Sequence, residues 1–150
     1  MPQTKTQPIL IVEDSDEDFE TVRWAFAKIG FEHPVVRCVT GDDALDYLQQ
    51  CGKNMVNATR PLLVLLDLNL PGTDGREVLA EVKATPSLRS IPVIILTTSS
   101  NPRDVNESYA AGANAYMLKP VNLEKLVADL KAFCDYWLGA VLLCNAPEQP

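Results

Sequence analysis

Reactive side chains stand at the ends of apolar runs in this sequence. Glu13 and Asp14 follow Ile9–Val12, Asp67 follows Leu62–Leu66, Thr97 follows Ile91–Leu96, and Lys119 follows Ala115–Leu118. Three carboxylates brought together repel one another unless a cation sits among them. Ligands that are all oxygen, with no histidine or cysteine, suit a hard ion, so Mg2+ or Mn2+ is the expected cofactor. The backbone carbonyl of Asn69 can supply a further oxygen. An aspartate can act as a nucleophile toward a phosphoryl group, and phosphoryl transfer asks mainly for positioning and charge neutralisation. Lys119 would add a point charge on a flexible stem, and the Thr97 hydroxyl would donate to a phosphoryl oxygen. The parts fit an aspartyl-phosphate acceptor at Asp67. Taken alone, Asp67 could equally cap the next helix.

These residues need a scaffold that brings five strand ends to one edge. Leu62–Leu66 is too short to cross a membrane and too uniformly apolar for a half-wet strand. It reads as a central strand of a parallel sheet covered on both faces, and the carboxyl edge of such a sheet is where ligands bind. Pro71, Gly72, Asp74 and Gly75 then turn the chain. Apolar runs at Ile9–Val12, Val35–Val39, Ile91–Leu96 and Ala115–Leu118 read as the other strands. Helical patterns lie between them: Phe19, Val22, Trp24, Phe26 and Ile29 line the first, ended by Gly30, and Ala44, Leu45 and Leu48 the second, capped by Thr40. Val78, Leu79 and Val82 line the third, and Asn101–Pro102 opens the fourth. The last begins at Asn122, with Leu123, Leu126, Leu130, Phe133, Trp137 and Leu138 as apolar positions. Five β-α units in alternation predict an α/β fold, a flavodoxin-like doubly wound parallel sheet in the order 2-1-3-4-5.

With 150 residues, 47% of them hydrophobic, the chain is expected to fold as one domain. A net charge of -7 argues against nonspecific binding to nucleic acid or anionic membranes. No run reaches transmembrane length and no secretion signal is visible. The four cysteines fall in no metal-binding spacing, so reduced thiols in a cytoplasm are expected.

The chain resembles the response-regulator receiver domain of two-component signalling. The resemblance rests on Glu13-Asp14, Asp67, Thr97, Tyr116 and Lys119-Pro120, together with their spacing, and covers residues 8–138. Residues 1–7 then form a flexible N-terminus and 139–150 a C-terminal extension. LLDLNLPGTDGREVL at 65–79, LTTSSNPRDV at 96–105 and YWL at 136–138 are similar to the small stand-alone regulators paired with cyanobacterial phytochrome kinases. The resemblance implies a histidine kinase of that type as partner, with Asp67 as phosphoacceptor. Glu13, Asp14, Asp67 and the Asn69 carbonyl would hold the metal. Glu13 departs from the commoner aspartate, and its extra methylene is expected to alter affinity. Thr97 and Tyr116 would be the switch pair that reshapes the helix 4, strand 5 and helix 5 face. The resemblance further implies a cis Lys119-Pro120 bond. It also puts the acyl-phosphate lifetime in question, because Thr98 replaces a smaller residue.

Phe133, Tyr136, Trp137, Leu138, Val141, Leu142 and Leu143 are too many for one helix face. They suggest a partner surface, and the resemblance suggests a symmetric homodimer built on the helix 4, strand 5 and helix 5 face plus this extension. No output domain is expected after Ala146. Plainer readings stand for other residues: Asp16, Glu17 and Asp18 as acids favoured at a helix start, Asp74 as a cap, Ser100 and Asn101 as an N-cap cluster, Tyr116 as an edge aromatic, and His33 as a solvated loop residue. A flavodoxin-type cofactor site would want free amides rather than acids after strand 1. A haloacid-dehalogenase-type phosphatase would want an acid where Asn69 stands. A receiver-like interaction module independent of phosphorylation is the remaining alternative.

Overall fold

The computed structural model describes residues 7–53 and 59–144. Five parallel strands, β1 (Ile9–Val12), β2 (Val35–Cys38), β3 (Val64–Leu66), β4 (Val93–Thr97) and β5 (Ala115–Leu118), form one sheet in the order β2-β1-β3-β4-β5. Helices α1 (Asp16–Lys28), α2 (Gly41–Gly52), α3 (Gly75–Ala84), α4 (Pro102–Ala110) and α5 (Leu123–Asp135) make the crossovers. The expected fold and strand order are those observed.

The unbroken apolar runs follow from burial on two faces. Successive strand residues point to opposite sides of the sheet. Leu10, Val12, Val64, Leu66, Val93 and Ile95 therefore pack with α2 and α3 through Ala44, Leu48, Val78, Leu79 and Val82. Ile9, Ile11, Leu63, Leu65, Ile94 and Leu96 pack with α1 and α5 through Phe19, Val22, Phe26, Leu126, Leu130 and Phe133. Register Leu10–Val64–Val93 aligns the three central strands, so β1, β3 and β4 end side by side.

Helix starts follow local chemistry. Ser15, Thr40, Asp74, Asn101 and Asn122 each accept a backbone N–H in the first turn of α1, α2, α3, α4 and α5, satisfying donors that no helical carbonyl can reach. Gly30, at φ 75°, ends α1 in the left-handed region that a side chain resists.

Several expectations are corrected. Trp24 is 43% exposed while Ala25 is fully buried: Ala25 falls three residues after Val22, on its face, whereas Trp24 points away, over Lys28. Leu123 is also exposed, standing at the first residue of α5, before the helix reaches the core. Val39 lies outside β2 and is exposed. Leu62 and Leu63 are buried but precede the ladder of β3, bonding the β1 end through Leu62 N–H to Pro8 C=O and Leu10 N–H to Leu63 C=O. His33 is not simply solvated, because Nδ1 lies 3.0 Å from the Gln7 carbonyl and the ring sits against Phe31. No peptide bond among the described residues is cis, so Lys119-Pro120 is trans, the ordinary isomer for X-Pro. Helix α5 ends in a wide π turn, Tyr136–Ala140. The N-terminus at residues 1–6, most of the polar connection before β3 (residues 54–58) and the end of the extension (residues 145–150) lie outside the described residues.

Candidate functional site

Each site residue is held by backbone contacts before its side chain acts. The Asp67 N–H donates to the Val12 carbonyl at 3.1 Å, joining the ends of β3 and β1. Beneath it, α3 begins at Gly75, where a Cβ would lie 2.1 Å from the Asp67 carbonyl oxygen. Only glycine allows this approach, and the Gly75 N–H bonds the Leu68 carbonyl at 3.0 Å. Glu13 is fixed from the other side. Its N–H donates to the Cys38 carbonyl, and its own carbonyl accepts Arg37 Nε and Nη2 at 3.1 and 3.0 Å. Arg37 lies over the Phe19 ring and pairs with Asp16 at 2.7 Å.

Lys119 converges on this edge from the end of β5. Its N–H bonds the Thr97 carbonyl at 2.8 Å. Its ammonium donates to Asp67 Oδ2 at 2.8 Å, to Asp18 Oδ2 at 3.0 Å and to Glu13 Oε1. Burial alone would lower the ammonium's pKa. The hydrogen bonds to Asp67, Glu13 and Asp18 overcome that and hold it above the ordinary lysine value. Burial pushes the Glu13 carboxyl up, opposed by its bond to Lys119. Glu13 is 4% and Asp67 7% exposed, so these charges interact in a poorly screened setting.

Glu13, Asp14 and Asp67 each offer an oxygen, and the three lie within 4.8 Å of one another. A compact set of hard oxygen donors with one exposed member, Asp14, fits a divalent cation of the Mg2+ or Mn2+ kind. Asn69 joins through its amide, which donates to Asp67 Oδ1 at 3.2 Å.

Thr97 is fully buried, and its Oγ1 has no hydrogen-bond partner. That is costly for a buried hydroxyl, roughly 1–3 kcal/mol. Tyr116 is half-buried on β5. Its hydroxyl donates to the Ser99 carbonyl at 2.8 Å, and its N–H donates to the Tyr109 hydroxyl at 3.1 Å. Thr98 is exposed beside them.

The structure thus gathers Glu13, Asp14, Asp67 and Lys119 at one edge, with Thr97 on the adjoining strand. It adds Asp18, whose sequence signal says only helix start. Ser15 caps the Asp18 N–H, and the Asp18 carboxylate turns instead to Lys119. Asp74 caps α3 as expected and also pairs with Arg76. Of the residues expected on a contact surface, Phe133 is 4% exposed and belongs to the core under α1. Trp137 and Leu138 pack partly against the same core, Val141 is half-buried, and Leu142 is 85% exposed. A groove of about 520 Å³ runs between β5 and α5, with Phe133 at its wall beside Tyr116, Leu118, Tyr136 and Trp137.

Fold and edge chemistry together define a receiver. The sequence matches the response regulator receiver domain family over residues 9–131, and the chain belongs to that family. Response regulator Rcp1 of Synechocystis sp. is 44% identical over 135 residues, 90% of this chain and 91% of Rcp1. The crystal structure of the phosphorylated cyanobacterial phytochrome response regulator RcpA superposes with a TM-score of 0.83 at 43% identity, covering 92% of this chain and 98% of RcpA. The Mn2+-bound form of Rcp1 gives 0.82 at 43% identity, covering 92% of this chain and 99% of Rcp1. The chain is related to phytochrome response regulators, and its family is one of signalling proteins rather than conventional enzymes.

Proposed function

We propose that this chain is a two-component switch in which Asp67 accepts a phosphoryl group from a phosphohistidine of a phytochrome-type histidine kinase. The observation that carries the reading is the convergence of the Lys119 ammonium on Asp67, 2.8 Å away, beside the carboxylates of Glu13 and Asp14. A divalent ion, Mg2+ or Mn2+, held by Glu13, Asp14, Asp67 and the Asn69 carbonyl would supply positive charge against the transferring group.

The chain's own residues do the rest. Asp67 presents a carboxylate oxygen at a fixed point, because its backbone is pinned between Val12 and Gly75. That rigidity supplies the positioning on which phosphoryl transfer depends. Lys119 holds Asp67 before transfer and can pair with a phosphoryl oxygen afterwards. Thr97 turns its unpartnered hydroxyl to another phosphoryl oxygen, regaining a lost hydrogen bond. Movement there is felt by Tyr116 and the α4–β5–α5 face, shifting the balance between two conformations. The output is a protein contact, including a homodimer through that face and the C-terminal extension, with the cytoplasm as its place. The relation to RcpA, whose crystallised form is phosphorylated, supports the acceptor role. The Mn2+ in Rcp1 supports the metal.

The test is intact mass after incubation with Mg2+ and acetyl phosphate, beside Asp67→Asn. The expected result is one phosphoryl group on the native chain and none on the variant or without metal. No gain under any phosphodonor overturns the reading and leaves an interaction module independent of phosphorylation.

A further inference from the structure

A line of polar contacts runs from α3 to β5 and straddles the segment that follows Thr97. The Asp74 Oδ1 accepts the Arg76 N–H at 2.8 Å and Arg76 Nη1 at 3.1 Å. Arg76 Nη2 reaches the other way, to Asp104 Oδ1 in the first turn of α4, at 2.8 Å. The second Asp104 oxygen accepts the Ser99 hydroxyl at 2.6 Å. The Ser99 carbonyl accepts the Tyr116 hydroxyl at 2.8 Å. One planar guanidinium thus bridges two helices through separate nitrogens.

Helix α4 has little else to hold it. Its one buried residue is Ser108, so apolar packing contributes little there and polar contacts fix its first turn. Ser99 stands two residues beyond Thr97 on the same short segment. In this arrangement the Thr97 hydroxyl is buried without a partner, so the contacts hold the segment where Thr97 has not found its acceptor.

We propose that Arg76 and Asp104 form a latch that restrains the segment from Thr98 to Asn101 and so sets how readily Thr97 turns to a phosphoryl group on Asp67. Both are positioning residues, acting through Ser99 and Thr97 rather than on the phosphoryl group. The proposal rests on the phosphoacceptor reading above. Arg76 reaches Ser99 only through Asp104, so once the Asp104 charge is gone, removing Arg76 changes nothing more. It also biases the same two-state element that phosphorylation biases, so releasing it favours the phosphorylated arrangement.

The experiment compares the native chain with Arg76→Met, Asp104→Asn, the double variant, and Arg103→Met. The last breaks the exposed Arg103–Glu107 pair on the same helix and serves as a control. Two quantities are read: the rate of phosphoryl uptake from acetyl phosphate with Mg2+, by intact mass, and amide hydrogen exchange over residues 98–103 in the unphosphorylated proteins. Each single variant is expected to speed uptake by about threefold or more, within the range by which residues outside a site modulate coupling. The double variant adds nothing beyond Asp104→Asn, and exchange over 98–103 rises in all three. Arg103→Met matches the native chain in both. Additive effects, unchanged or slower uptake in the single variants, or an equal gain from Arg103→Met overturns the latch. If the native chain takes up no phosphoryl group, the phosphoacceptor reading fails and the functional role of the latch fails with it. In that case the exchange data alone still decide whether Arg76 and Asp104 restrain the segment.

Discussion

Helices α3 and α4 both leave the carboxyl edge directly after a site strand, yet they are attached in opposite ways. Helix α3 buries Gly75, Val78, Leu79 and Val82 and starts in backbone contact with Asp67. Helix α4 buries only Ser108, and its ties are the Arg76–Asp104 pair, the Ser99–Asp104 bond and the Tyr109 hydroxyl on the Tyr116 amide. Asp67 is therefore seated against the firmly packed helix, and Thr97 leads into the loosely held one. A receiver needs both: a fixed nucleophile, and a neighbouring element whose position costs little to change.

The comparison can be broken most forcefully at the core. Leu79→Ala on α3 is expected to cost about 3 kcal/mol in urea unfolding, whereas Val105→Ala, half-buried on α4, is expected to cost below about 1 kcal/mol. Equal losses would erase the distinction. Gly75→Ala tests the seat itself. Its methyl meets the Asp67 carbonyl, so a loss of about 2 kcal/mol is expected from overpacking, together with slower phosphoryl uptake at Asp67. A variant that keeps native stability and uptake shows that α3 is not the rigid partner.

The finest test uses acid. The Ser99 hydroxyl, then Arg76, hold the Asp104 carboxyl below its ordinary value of 3.8. A depressed carboxyl contributes stability above its unfolded pKa and loses it as pH falls through the folded one. In an NMR titration, amide signals from the first turn of α4 should shift with a midpoint below 3.8. A midpoint at or above 3.8 would show that Asp104 is not held by these contacts.

What the sequence made legible follows from what is local. Strand order, helix caps and the edge positions of Glu13, Asp14, Asp67, Thr97 and Lys119 come from apolar runs and the polar residues that stop them. Gly75 was readable as part of a turn, but not as a seat for Asp67, because the close approach joins the end of β3 to the start of α3. Asp18 was readable as a helix-start acid. Its reach to Lys119 depends on how α1 lies against β5. The Arg76–Asp104 pair joins residues 28 positions apart on different helices, and no periodicity marks it. Trp24 belongs to the apolar residues of α1 by type, but the register that buries Val22 buries Ala25 and leaves Trp24 outside. Phe133 was assigned to a surface because the apolar tail exceeds one helix face, and the structure resolves the excess by burying Phe133 and exposing Leu142.

Arg37, whose guanidinium bonds the Glu13 carbonyl, has another consequence. It lies in β2, an outer strand of the sheet, between Val36 and Cys38. An open, apolar outer strand is a template for pairing with other chains. A guanidinium there, tethered to Glu13, Asp16 and the Phe19 ring, interrupts the apolar run of that strand with a charge. The residue that steadies the acidic crevice thus also sets a charge in the outer strand of the sheet.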